Sequence, residues 1–213
     1  MANTTATPIP TPTYDGGGSF TISCSSRIAA TPQDCLAVVT KSSDYATWNR
    51  FCRKCTIDSQ PTTNEADPET LRLGTQFTFD VHLNSDEPDG SAGQAIALEV
   101  SVLEPIDEDA KDSVFVSSSL PPRDADAHRT GWRIAWRQRP SLRMPSWMLR
   151  SERVQEFVDV NGGSETEYHC WETFYGLLAP VVKLAVGKQV EKGFDAWLVG
   201  LKGRVEKGGQ VAQ

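Results

Sequence analysis

No apolar run in this 213-residue chain approaches the roughly 20 residues that a helix needs to span a bilayer, so no membrane span is expected. Positive charge is also short. The 21 Lys and Arg are outnumbered by 28 Asp and Glu, giving a net charge of −7 that no basic stretch offsets locally. Binding a polyanion rests on cations that neutralise phosphates, so this balance argues against nucleic acid and against an anionic membrane surface. Histidine is scarce: His82, His128 and His169 fall in three different segments, and no HExxH is present. "DGSAG" lacks the spacing of a nucleophile elbow, and "VGKQ" lacks the upstream glycine of a phosphate loop. Cys52 and Cys55 form a CxxC with no second ligand pair, so neither structural zinc nor any other cofactor is predicted. The five cysteines are odd in number and irregularly spaced, which suits reduced thiols in the cytoplasm better than a disulfide framework. The N-terminus has neither the basic nor the apolar region of a secretory signal.

What is present is an ordinary soluble balance, 38% hydrophobic and 23% charged, at a length that suits one domain. Residues 1–18, rich in Thr, Pro and Gly, read as a flexible tail, and 208–213 as a disordered one. "SFTISCSSRI" alternates with the period of a half-buried strand. In "TPQDCLAVV", Thr31 is a candidate N-cap, Pro32 takes the first helical position and Asp34 lies in the first turn. "SDYATWNRF" starts a second short helix, capped by Ser43 or Asp44, and "CRKCTID" reads as a short strand. Five more strands follow. In "GTQFTFDVHL" Phe77, Phe79 and Val81 share a face, and in "QAIALEVSVLEP" Ile96, Leu98, Val100 and Val102 do. "GWRIAWRQR" puts Trp132, Ile134 and Trp136 in phase, and "RSERVQEFVDV" leads through the turn signal "NGGS" into "YHCWETFYG". Residues 106–130 read as an acidic, Ser-rich insertion, either a lid or disordered. From Leu177 to about Lys207, apolar residues recur at spacings near 3 and 4, the mark of a long amphipathic helix. Strands grouped together with helices at the ends indicate an α+β domain.

Four segments in order carry a family resemblance. "FTISCSSRIAATPQDCLAVVTKSSDYATWNRF", "LRLGTQFTFDV", "GWRIAWR" and "WETFYGLLAPVV" resemble the SRPBCC superfamily, most closely its fungal and bacterial relatives of polyketide cyclases and coenzyme Q-binding START-type proteins. The resemblance covers about residues 19–205. It implies a helix-grip fold: a curved antiparallel sheet of six to seven strands wrapped around the C-terminal helix, enclosing a deep hydrophobic pocket. It does not imply one reaction.

The pleat of "YHCWETFYG" sends Tyr168, Cys170, Glu172 and Phe174 to one face, and His169, Trp171, Thr173 and Tyr175 to the other. On "RSERVQEFVDV" one face carries Arg153, Gln155 and Phe157. The family pattern turns Glu172, Phe174 and Trp136 inward and sets Arg153 where bacterial relatives have His. Glu172 beside Arg153 suggests a buried ion pair, which either pins the sheet or acts chemically. In the chemical version Glu172 is the general acid or base and Arg153 steadies an enolate or carboxylate. Trp48, Phe79, Trp136, Gln155, Phe157, Cys170 and Phe174 are the expected ligand-binding residues. The expected partner is a hydrophobic polyketide- or isoprenoid-like molecule, with cyclisation, isomerisation or dehydration as candidate reactions. A non-catalytic carrier of lipid or quinone and a protein-interaction module of the chaperone-activator type are the alternatives.

Overall fold

A computed structural model describes residues 1–5, 7–62, 67–88, 90–107 and 130–209. Its strands are β1 (Asn3–Thr5), β2 (Phe20–Ile28), β3 (Cys52–Ser59), β4 (Gln76–Val81), β5 (Gln94–Ile106), β6 (Gly131–Gln138), β7 (Arg150–Val160) and β8 (Glu165–Tyr175). The helices are α1 (Pro32–Thr40), α2 (Tyr45–Trp48) and α3 (Ala179–Gly209). One antiparallel sheet holds all eight strands in the order β1-β2-β8-β7-β6-β5-β4-β3. This is the helix-grip arrangement, with one strand more than the six to seven expected. The proposed lid between β5 and β6 lies largely outside the described residues, as do residues 210–213. The helix itself runs through Gly209.

Local chemistry explains the boundaries. Thr31 caps α1, accepting from Asp34 N at 3.1 Å, with Pro32 at the first position. A 3-10 turn (Ser42–Asp44) leads into α2, where Asp44 holds the N-cap position without a side-chain capping bond. Asn161, at φ 61°, and the two glycines after it turn the β7–β8 hairpin. Gly176, at φ 97°, ends β8: a side chain there would meet the Met148 carbonyl oxygen at 2.6 Å, so the turn into α3 admits only glycine.

The extra strand comes from the segment that composition reads as a tail. The structure lays it across the convex face of the sheet. β1 pairs with β2, Ile9 N donates to Thr21 Oγ1 at 2.8 Å, and Trp171 Nε1 donates to the Pro10 carbonyl at 3.2 Å. Glu152, fully buried, accepts from Thr13 N (2.8 Å), Thr13 Oγ1 (2.7 Å) and Ser101 Oγ (2.5 Å). Beneath this strap Ala135, Val154 and Trp171 form a second small core, packed by Ile9 and Val102. β7 is consequently buried on both faces from Ser151 to Val158.

Two strands depart from simple alternation. A register shift between Val100 and Val102 turns Val102 to the convex side, while Leu98 and Val100 stay in the main core. The expected common face of Leu98, Val100 and Val102 is therefore broken. A second shift between Cys52 and Lys54 brings Cys52 and Cys55 into the same core, although residues three apart on a regular strand face opposite ways.

Candidate functional site

The concave face of β7 and β8 meets α3 around one charged side chain. Arg153 is 3% exposed, with its guanidinium carbon 4.1 Å from the ring centroids of both Phe194 and Trp197. The helix supplies these rings at i and i+3, on the stripe that faces the sheet. Such a sandwich stabilises the cation through the ring quadrupoles. Arg153 Nε donates to Cys170 Sγ at 3.2 Å, and Nη2 has no hydrogen-bond partner among the described residues.

Arg153 and Glu172 are direct neighbours across β7 and β8, as their expected pairing requires. The ion pair between them does not form, because the guanidinium turns to Cys170 and the two rings. Glu172 is partly buried. Burial raises its pKa above the usual carboxylate value, against the lowering effects of the Arg153 charge and a hydrogen bond from Ser151. Burial opposes the charge on Arg153 too, yet the surrounding Cys170, Tyr168, Cys52 and Glu172 raise its pKa above the ordinary value.

Gln155 lies two residues along the same face. Its Oε1 accepts from Tyr168 Oη at 2.6 Å, and Tyr168 Oη accepts from Trp197 Nε1 at 3.0 Å. This chain of bonds holds the amide in one orientation and leaves Gln155 Nε2, fully buried, without a partner among the described residues. Phe157 packs on Tyr168 with ring centroids 5.2 Å apart. Cys170 sits opposite Gln155 on one side and Cys24 on the other.

Trp48, Phe79 and Trp136 come together with Trp197 rather than around an open space. Their centroid distances to that indole are 5.2, 6.2 and 5.9 Å, and Tyr45 closes the cluster at 5.7 Å. The α2 end of the concavity is thus filled by rings. At the other end Phe174 stacks on Phe20 at 4.6 Å, beneath Lys183 in the first turns of α3. Glu172, Leu149, Val182 and Val186 are only partly buried at that end. All nine residues named from the sequence lie on the concave side or against it. Glu172 and Phe174 lie at the end nearer the start of α3, Arg153, Gln155, Cys170 and Phe157 lie in the middle of β7 and β8, and the tryptophans and Phe79 pack at the α2 end.

Phe194, Trp197, Tyr168 and Cys24 belong to the same constellation and were not singled out from the sequence. The first two carried a signal as the helix stripe, but only the crossing of α3 over β7 reveals their contact with Arg153. Among the described residues no three His, Cys, Asp or Glu side chains are placed to hold a metal ion, and no helix is long and apolar enough to cross a membrane.

No family model and no curated protein matches the chain. Solved structures do share its fold. A hypothetical protein from Helicobacter pylori superposes with a TM-score of 0.56 at 16% identity, over 86% of each chain. A START superfamily protein from Mycobacterium smegmatis gives 0.53 at 16% identity, over 88% of this chain and 97% of that one. The Zhui aromatase/cyclase from Streptomyces sp. R1128 gives 0.50 at 13% identity, over 88% and 93%. The likeness is one of fold: this chain is built like START-type proteins and aromatase/cyclases.

Proposed function

We propose that the protein binds a hydrophobic polyketide- or isoprenoid-like molecule between the sheet and α3 and promotes its cyclisation, isomerisation or dehydration. One observation carries this reading. Arg153 Nη2 and Gln155 Nε2 are buried donors without acceptors among the described residues, on a face otherwise made of rings, aliphatic side chains and thiols. An unpaired buried donor costs roughly 1–3 kcal/mol, which a ligand oxygen would recover. The substrate therefore carries a carbonyl, enolate or carboxylate oxygen on an apolar frame, and enters at the Glu172 end.

Glu172 supplies the acid–base step. Its raised pKa moves it toward neutrality, where a carboxyl group both gives and accepts protons effectively. Arg153 stabilises the developing oxyanion as a preorganised cation. The fold shared with an aromatase/cyclase supports the reaction class. Five thiols without a bridge suit a cytoplasmic setting.

A carrier of lipid or quinone, as in coenzyme Q-binding START-type proteins, is the second reading. The same two donors suit a quinone carbonyl and need no proton transfer. Turnover of aromatic-polyketide and isoprenoid substrates by purified Glu172→Gln protein separates the two. The enzyme reading expects ligand binding to persist, seen by native mass spectrometry, with a rate loss of about 10²-fold or more. Unchanged turnover would sink the assigned role of Glu172, and a co-purified apolar ligand that stays chemically intact would favour the carrier.

A further inference from the structure

Cys24 and Cys170 are not used by the proposed chemistry, yet their surroundings are unlike those of the other three cysteines. They are direct partners across β2 and β8, both on the concave face, at 5% and 1% exposure. Antiparallel partners have Cα atoms about 4.5–5.5 Å apart. A disulfide bridges Cα separations of about 4.4–6.8 Å, so the pair can close without moving the strands. Cys170 also accepts from Arg153 Nε at 3.2 Å. A buried guanidinium requires an anion beside it, and here a sulfur, not a carboxylate, takes that place.

We infer that Cys24 and Cys170 form a peroxide-sensitive dithiol, with Cys170 as the attacking thiolate held by Arg153 and Cys24 as the resolving thiol. The ionisation pattern agrees. Burial opposes the Cys170 thiolate, but a hydrogen bond from Cys24, the Arg153 charge and the Arg153 hydrogen bond hold it below the usual thiol value. Cys24 is pushed far up by its bond to Cys170 and by burial, and so keeps its proton. Burial pushes Cys35 up to about 11 and Cys52 to about 12, and raises Cys55 as well. Those three are poor nucleophiles and serve as internal comparisons.

The reaction balances with a hydroperoxide as oxidant. The Cys170 thiolate attacks one peroxide oxygen, the O–O bond breaks, and the departing alkoxide or hydroxide takes up a proton from water. Cys170 is then a sulfenic acid. The Cys24 thiol loses its proton and attacks that sulfur, and the hydroxyl leaves as water to give the disulfide. Two thiols are oxidised and one peroxide is reduced. Access runs between β1 and β2, where the three-residue β1 is tied to α3 by Thr4 Oγ1, which donates to Glu191 Oε1, and by the preceding Ala2 N, which donates to Asp195 Oδ1 at 2.6 Å. A short edge strand of this kind opens at low free energy. Bridging removes the anion facing Arg153, so oxidation changes the charge balance of the concave floor.

The test treats the folded full-length protein with stoichiometric hydrogen peroxide near pH 7. The expected product has lost two hydrogens. A non-reducing peptide map should link Cys24 to Cys170, with Cys35, Cys52 and Cys55 still open to alkylation after unfolding. Cys24→Ser should stop at a sulfenic acid on Cys170, trapped by dimedone. Arg153→Met should slow oxidation about tenfold for each unit by which the thiol pKa rises, offset in part by greater nucleophilicity. Thiolate absorbance of the unmodified protein provides a measurement free of folding effects: one thiol per chain should ionise below about 8.5. Bridges among the other cysteines, reaction only after unfolding, or no thiol titrating below that value would each overturn the assignment.

Discussion

Glu172 is the residue whose charge state the fold alters most consequentially. Its folded pKa is raised by burial, so above the usual carboxylate range the folded chain holds a proton that the unfolded chain has released. Stability from this group is fully present below the unfolded value and falls as pH rises through the folded one. Replacing it with Gln removes that slope. Glu172→Gln should match the parent at acid pH and be the more stable of the two at pH 7–8, with the gap widening as pH rises. Chemical denaturation across this range checks it, and a constant difference at every pH would contradict the buried-carboxyl account. The identity of Glu172 and its inward face were legible from strand period and family pattern. Its failure to pair with Arg153 was not, because that depends on Phe194 and Trp197, which another element, α3, contributes.

At the scale of elements, α3 lies so close to α2 and β3 that two of its glycines have no room for a side chain. A methyl group at Gly200 would meet the Trp48 carbonyl oxygen at 2.2 Å, and one at Gly193 would meet the Phe51 ring at 2.3 Å. Gly203, on the same helix, faces open space. Helix propensity alone predicts a gain of up to about 1 kcal/mol for Ala at each position. Only Gly203→Ala should show it, as a rise in Tm of about 2–4 °C. Gly200→Ala should instead lose about 1–3 kcal/mol through overpacking, despite the same propensity gain. Thermal unfolding of the two variants side by side decides this. The long helix was readable from its apolar spacing, but nothing in that spacing distinguishes a glycine against a carbonyl from one in solvent. The register shift at Val102 escaped for a related reason, since one inserted residue resets every later side chain without changing composition.

Across the whole molecule the sheet carries two packed layers of unequal size. The large one lies between the concave face and α3, and the small one lies between the convex face and the N-terminal strap. Glu152 ties the second layer together through three accepted hydrogen bonds. Glu152→Ala should destabilise the protein by about 1–2 kcal/mol, because it removes the acceptor of three part-buried hydrogen bonds from Thr13 and Ser101. Hydrogen exchange should then quicken in residues 7–14 and in Trp171 above that in β5 or β6. Uniform exchange across the sheet would show instead that the strap contributes little to holding this face.

The sequence by itself determined the α+β class, the order of strands and helices from Phe20 onward, and which residues of β7 and β8 face the helix. These follow from local periods of 2 and 3.6 and from turn chemistry, which operate within a few residues. Tertiary structure alone decided that the Thr- and Pro-rich N-terminal stretch becomes a strap. Its apolar residues are too few to signal burial until Val154 and Trp171 offer them a surface. It also decided that Arg153 faces a thiol rather than a carboxylate, since a buried cation takes its partner from every element that closes over it.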